Sequence, residues 1–169
     1  MRCLFCFVLT FSLLGCGYHF PGQAGNVPGQ VNSVYISLFT NQTSEPQLEN
    51  RMTNQVSQVF SRRKSLVQVE RIDLAEAILQ GTIQSYRSRP LAYDAQDNIS
   101  EYRASMKVRA ELLGGVEQQN VLWQATETWA VDYLADDDKT KQEDLEDQAI
   151  DELSLRLAEA LFYKLLDDF

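Results

Sequence analysis

The spacing of hydrophobic positions changes several times along this chain, and each change marks the boundary of a predicted element. Apolar residues first alternate with polar ones at Val34, Ile36 and Leu38. That period of two is typical of a half-buried strand, which we predict over residues 31–39. A break rich in polar residues follows, and the apolar spacing then becomes helical.

In the middle of the chain the period returns to two. Alternating runs predict strands over residues 66–72 and 78–88, with a polar loop over residues 90–98. The clearest alternation starts at Arg103, where one face is apolar and the other is polar or charged. The apolar face comprises Ala104, Met106, Val108, Ala110 and Leu112, and the polar face comprises Arg103, Ser105, Lys107, Arg109 and Glu111.

A pair of glycines, Gly114 and Gly115, predicts a hairpin turn into a last strand over residues 121–133. Its alternate positions are mostly apolar and include both tryptophans of the chain. We therefore expect Trp123 and Trp129 to be core residues that helices cover.

Helical spacing predicts two helices. The first follows Ser44, which with Gln47 matches a capping box, has Glu45 and Pro46 in its first turn and runs to about Arg63. The second follows another such pair, Thr140 and Glu143, and carries a broad apolar stripe suited to packing on a sheet. The order β-α-β-β-β-β-α predicts an α+β two-layer sandwich, in which a mixed sheet of about four to five strands has two helices on one face.

The N-terminus has the pattern of an export signal. The apolar run from Leu4 to Leu14 is shorter than the ~20 residues that span a bilayer, and its length is typical of a secretory signal. Residues 13–16, Leu-Leu-Gly-Cys, resemble a bacterial lipobox, which implies a signal over residues 1–15 and diacylglycerol and acyl chains on Cys16. The alternative is an ordinary signal peptide with an incidental cysteine.

Cysteine usage is consistent with this interpretation. Cys3 and Cys6 lie inside the predicted signal, so Cys16 has no disulfide partner in the mature chain. Under the enteric sorting rule, Gly17 after the lipidated cysteine implies the inner leaflet of the outer membrane, facing the periplasm. Two or more acyl chains would make that attachment stable.

The remaining chain divides into a glycine- and proline-rich tether over residues 16–30 and a single domain over residues 31–169. The formal charge of the whole chain is −9, and loss of Arg2 with the signal would make it −10. This acidic balance argues against nucleic acid as a partner.

Few residues suit catalysis. His19 is the only histidine and lies beside the predicted anchor, which excludes histidine-activated nucleophiles and multi-histidine metal sites in the domain. The acidic run at residues 136–138 lacks the alternating spacing of a calcium loop. We therefore expect no metal, no cofactor and a binding or supporting role. A carboxylate-dependent hydrolase remains an alternative.

Several short segments in the same order resemble the LptE family of lipopolysaccharide-assembly lipoproteins. These are Cys-Gly-Tyr-His-Phe at 16–20, Phe-Thr-Asn-Gln-Thr at 39–43, Pro-Gln-Leu-Glu at 46–49, Ala-Glu-Ala at 75–77 and Leu-Trp at 122–123. The glutamate at position 76 stands where an aspartate would be expected. Together the segments cover nearly the whole mature chain.

This resemblance implies a non-enzymatic partner of the outer-membrane β-barrel LptD. Such a protein plugs the barrel, helps it assemble and assists lipopolysaccharide transport to the cell surface. A lipid-anchored scaffold subunit of another envelope complex is the alternative within the binding class.

The candidate contacts to lipopolysaccharide are basic residues on the strand that starts at Arg103, extended by two arginines near the end of the preceding predicted strand if the two strands pair. They project from the sheet face opposite the apolar one, and Arg-rich clusters suit the phosphates of lipid A. The alternative is a solvated strand face with cross-strand partners such as Glu127. The candidate set is Arg87, Arg89, Arg103, Lys107 and Arg109.

Overall fold

Within the described residues, six strands form one mixed sheet, where about four to five were predicted, and two helices cover one of its faces, as predicted. The computed structural model describes residues 28–62, 66–117 and 120–167, so the predicted signal, Cys16 and most of the tether lie outside the described residues. The strands are β1 (Ser33–Ile36), β2 (Thr40–Asn41), β3 (Val67–Gln68), β4 (Ala77–Tyr93), β5 (Ile99–Gly114) and β6 (Val121–Leu134), and the helices are α1 (Leu48–Ser61) and α2 (Lys139–Asp167).

The sheet has two differently built halves. Its strand order is β3-β1-β4-β5-β6, and β2 pairs separately with β4. The short strands β1, β2 and β3 pair in parallel. The long strands β4, β5 and β6 form an antiparallel meander, and the amide of Gly114 donates to the carbonyl of Asn120 where the predicted hairpin turns. The bulk of the sheet is therefore the meander.

The core lies between the helices and one face of the sheet. α2 packs mainly on β6 and β5, and α1 packs beside it against β2 and β3. Phe60 of α1 meets Phe162 of α2 edge to face, with ring centroids 4.9 Å apart. Arg51 joins the helices further along by ion pairs to Asp147 and Asp151 at 2.7 and 2.9 Å. The layers thus pack mainly through apolar contact.

The alternation predicted for β5 is confirmed. Its five apolar residues at even positions from 104 to 112 are all buried. Side chains of successive strand residues point to opposite faces, so the odd positions lie on the uncovered face.

The first predicted strand is wrong in its second half. β1 ends at Ile36, and Leu38 is 60% exposed while its neighbour Phe39 is buried. The chain advances four positions from Ile36 to Thr40, while the partner positions on β4 advance only three, from Leu79 to Thr82. This extra residue shifts the alternation by one, so Phe39 is buried instead of Leu38. Gly81 makes room for the ring, because a β-carbon there would overlap Phe39.

The predicted capping box of α1 is also wrong. The helix begins at Leu48, and Gln47 precedes it in the left-handed region with φ of 63° and no side-chain cap. Asn41 instead organises the turn, because its amide nitrogen donates to the Glu45 carbonyl at 2.7 Å and to Glu49 at 3.0 Å. The turn before α1 therefore depends on Asn41, which lies three positions before the predicted cap, Ser44.

Asp138, and not Thr140, caps α2. Its carboxylate accepts from the amides of Thr140 and Lys141 at 2.9 and 3.3 Å, so Thr140 lies within the first turn. Aspartate is a strong N-cap because it satisfies free amides and favours the positive end of the helix dipole. The helix that follows has 29 residues and is about 43 Å long.

Two boundaries in the middle of the chain differ from prediction. The strand predicted over residues 66–72 shrinks to β3, and a 3₁₀ turn occupies Ile72–Leu74. β4 extends to Tyr93, well past the predicted end at Ser88, so the first four of the nine residues predicted as a polar loop are strand. Register shifts near Pro90 let the ladder continue past a residue that cannot donate.

The two tryptophans differ. Trp123 is 5% exposed and belongs to the core, as predicted, but Trp129 is 43% exposed, which contradicts the prediction. Both lie on the covered face, opposite Leu112 and Met106 of β5.

The described end of the predicted tether, Pro28–Gln30, forms a 3₁₀ turn. It contacts β6, and Gly29 lies against Leu122. Among the described helices, none combines the length and apolarity needed to cross a membrane.

Candidate functional site: the open face of the sheet

The face of the meander opposite the helices gathers the five predicted basic residues. Arg89 pairs with Arg103 and Arg87 with Ser105 across β4 and β5, while Lys107 lies opposite Ser85. A register shift between Ile83 and Ser85 brings the arginines of β4 onto the same face as the odd residues of β5. The two strands therefore pair as the candidate set required, and all five side chains are exposed. Their contact with lipopolysaccharide stays a prediction.

Arg103 is already paired on this face. It donates to both carboxylate oxygens of Asp132 on β6, at 2.6 and 2.8 Å. These bonds hold the pKa of the Asp132 carboxyl below its ordinary value and raise the pKa of Arg103. A bidentate pair of this kind fixes the guanidinium plane and offsets its charge.

Arg109 is paired as well. It donates to Glu111 at 2.9 Å and to the side-chain oxygen of Gln124 at 2.9 Å. Gln80 donates to the other oxygen of Glu111 at 3.0 Å. Hydrogen bonds from Gln80, then from Arg109, keep the pKa of Glu111 below its ordinary value. This network is close to neutral.

The other three cations have no such partner. Among the described residues, none supplies a carboxylate within ion-pair distance of Arg87, Arg89 or Lys107. Uncharged residues flank Lys107 on both neighbouring strands, Ser85 and Thr128. Arg87 is a diagonal neighbour of Lys107 and lies two residues from Arg89 on β4, positions roughly 7 Å apart, so the three charges lie close together on one surface. We call these three residues the free basic cluster.

Exposed apolar residues extend this cluster toward the β4–β5 hairpin. Leu91 and Tyr93 follow Arg89 along β4 and are 40% and 60% exposed. The sequence predicts a polar loop over residues 90–98, so the candidate set does not include Leu91 and Tyr93. The signal that could have found them is the continued apolar spacing past Pro90. Cations beside apolar side chains suit an anionic amphiphile better than a purely polar anion.

Glu127 is not a partner of these cations, which corrects the alternative considered from sequence. It lies opposite Val108 on the covered face and accepts from Lys164 of α2 at 2.6 Å. The residue that does pair on the open face, Asp132, could not be found without the register between β5 and β6.

No group of His, Cys, Asp and Glu side chains within residues 28–62, 66–117 and 120–167 is arranged to hold a metal ion. The acidic residues at 136–138 serve the start of α2, since Asp136 accepts from the amide of Asp138 and Asp138 caps the helix. Cys16 and His19 lie outside the described residues.

The fold and this face define a class of small α+β domain with one helix-covered and one charged, open sheet face. A family model described as LptE, lipopolysaccharide-assembly, matches residues 31–165. The chain belongs to this family, which is a family of non-enzymatic lipoproteins. Among curated protein sequences, none matches the chain significantly.

Solved structures share the fold. Lipoprotein B from Nitrosomonas europaea has a TM-score of 0.55 at 16% identity and covers 89% of this chain and 90% of its own. Rare lipoprotein B from Shewanella oneidensis has a TM-score of 0.55 at 14% identity, with 79% and 95% covered. PelC from Paraburkholderia phytofirmans, a dodecamer, has a TM-score of 0.57 at 14% identity, with 85% and 95% covered. At such low identity these likenesses establish the fold alone.

Proposed function

We propose that this protein is an outer-membrane lipoprotein, acylated on Cys16, that plugs the LptD barrel from its periplasmic side. In this role it helps the barrel assemble and assists lipopolysaccharide transport to the cell surface. The observation that carries the proposal is the match of the LptE family model to residues 31–165, nearly the whole described domain.

The distribution of charge supports a lipopolysaccharide contact on the open face. The chain carries a formal charge of −9, yet the free basic cluster of Arg87, Arg89 and Lys107 is locally cationic. Lysine and arginine bind phosphate by charge-assisted hydrogen bonds, and the neighbouring Leu91 and Tyr93 offer apolar contact. Arg103 and Arg109 would contribute less than the free basic cluster, because their charges are offset by Asp132 and Glu111.

The experiment that tests the barrel partnership is affinity purification of the full-length tagged chain from its native envelope in mild detergent. We expect LptD to be retained in near-stoichiometric amount, and mass spectrometry of the mature N-terminus to find an acylated Cys16. Cys16→Ser is the matched control for the anchor. Retention of a different envelope complex without LptD would favour the scaffold alternative, and a free N-terminus would refute acylation.

A further inference from the structure

The two outer edges of the sheet differ sharply in how they are protected. One edge strand, β3, has only two residues, and short edges resist pairing with other chains. The other, β6, has 14 residues and contains no proline, glycine, lysine or arginine. Natural edge strands of this length are usually guarded by such residues, by bulges, by inward-facing charges or by a covering segment. β6 has one register shift near its start, before Trp123, and one inward-facing charge, Glu127, which Lys164 pairs; from Trp123 to Leu134 its ladder is regular.

Successive residues of β6 direct their backbone N–H and C=O groups alternately toward β5 and away from it. The amide of Ala135 donates to the carbonyl of Ser100 at 3.0 Å, in the register that continues from Leu134 to Trp123. In an antiparallel ladder the bonded residues of a strand alternate. The odd residues of β6 from 123 to 133 therefore bond β5. The even residues direct their N–H and C=O groups away from it, and these are Gln124, Thr126, Thr128, Ala130 and Asp132.

In the part of the chain that the structure describes, no backbone group bonds to this outward row. The 3₁₀ turn at Pro28–Gln30 contacts β6 near Leu122, before the row begins. Only another extended backbone matches a row of donors and acceptors with this spacing.

The side chains beside the row describe the segment that fits. Thr126, Thr128 and Ala130 are small and uncharged on the open face, while half-exposed Trp129 flanks the row on the covered side. The nearby acids are already neutralised, Asp132 by Arg103 and Glu127 by Lys164. An uncharged segment therefore suits the edge. A second copy suits it less, since each copy carries a formal charge of −9.

We infer that the outer edge of β6 is a docking edge, onto which an uncharged, extended segment of a partner protein adds as a seventh strand. The inference rests on the proposed function, because the partner is its β-barrel. Backbone bonding supplies affinity in this mode, and the side chains beside Trp129 and Thr128 supply selectivity.

The test uses Thr128→Pro in the full-length chain. This change removes an outward amide without removing a bond to β5, and proline is tolerated at such edge positions. Thr128→Val keeps the amide and is the matched control. We expect at least a tenfold loss of barrel retention for proline and less than a twofold change for valine, with the thermal midpoints compared in parallel. If proline lowers the thermal midpoint, a second pair of variants repeats the comparison, with Ala130→Lys as the test and Ala130→Ser as its control.

Hydrogen exchange gives a second readout that side-chain docking would not produce. We expect the amides of residues 124, 126, 128, 130 and 132 to slow on complex formation, while the odd amides are already slow in the free chain. If Thr128→Pro and Ala130→Lys both retained the barrel as well as the wild type does, the inference would be overturned and the proposed function would stand. Absence of the barrel from the wild-type preparation would instead refute the proposed function.

Protection of the even amides in the isolated chain would also overturn the inference. If it appeared with a dimeric mass, the occupant would be a second copy. If it appeared in a monomer, the occupant would be a segment of the same chain.

Discussion

The two faces of the meander carry different kinds of residue. The covered face of β5 is uniformly apolar and buried, whereas the open face presents cations, of which two are paired and three are not. Burial of apolar area stabilises the fold, while exposed ion pairs contribute little to it. Substitutions on the covered face should therefore change the free energy of unfolding, and those on the open face should change binding.

The largest expected effect comes from the two tryptophans of β6. Trp123→Ala removes a 5% exposed ring and should lower the free energy of unfolding by about 3–5 kcal/mol. Trp129→Ala removes a half-exposed ring and should cost less than about 2 kcal/mol. Urea unfolding of both variants measures the difference. Equal costs would mean that the ring of Trp129 is as well covered as the ring of Trp123.

A smaller loss is expected from Gly81→Ala. The new β-carbon would overlap the ring of Phe39, so the ring must shift, at a cost of about 1–3 kcal/mol. Phe39→Leu in the same chain should recover part of that loss, because the shorter side chain leaves space. A Gly81→Ala variant as stable as the wild type would show that Phe39 does not occupy this position.

Glu45, near the start of α1, gives a pH-dependent effect in the helical layer. Partial burial and the nearby Glu146 and Asp147 raise the pKa of its carboxyl above its ordinary value of 4.5. The folded protein thus disfavours the charged carboxylate. The free energy of unfolding therefore falls as pH rises from 4.5 through the raised pKa. Glu45→Gln should raise the thermal midpoint at pH 7 but not at pH 4. A lower midpoint at pH 7 would contradict this.

The smallest effect on stability is expected on the open face. Asp132→Asn breaks the pair with Arg103, whose hydrogen bonds lower the pKa of the Asp132 carboxyl. Its stabilisation is present above the ordinary pKa of 3.8 and is lost as pH falls through the lowered value. We expect a slight drop in thermal midpoint at neutral pH and none in 1 M salt. A large drop that salt does not reduce would place Asp132 in the structural core.

The difference between the faces also explains what the sequence could predict. β5 is long and covered on one side only, so its period-two pattern determines both faces. β1 and β3 are too short for a pattern to develop. The extra residue between β1 and β2 shifts the alternation, so that Phe39 is buried and Leu38 is exposed. Neither predicted capping box forms, because Asp138, two residues before Thr140, caps α2, and because Asn41 organises the turn before α1, which begins without a side-chain cap.

The candidate site was predictable only in part. Alternation placed Arg103, Lys107 and Arg109 on one face, but which cations are free depends on the register that brings Asp132 opposite Arg103. Leu91 and Tyr93 continue the apolar spacing past Pro90, but the register shifts that let a strand continue past the proline have no sequence pattern of their own.

The most direct test of the account is lipopolysaccharide binding by two charge-matched double variants. Arg87→Gln with Lys107→Gln neutralises two members of the free basic cluster, and Arg62→Gln with Arg71→Gln removes the same net charge elsewhere. We predict that the first weakens binding at least fivefold, less so as salt rises, with an unchanged thermal midpoint, and that the second binds like the wild type. Equal binding by both, or equal loss in both, would contradict a local site on the open face.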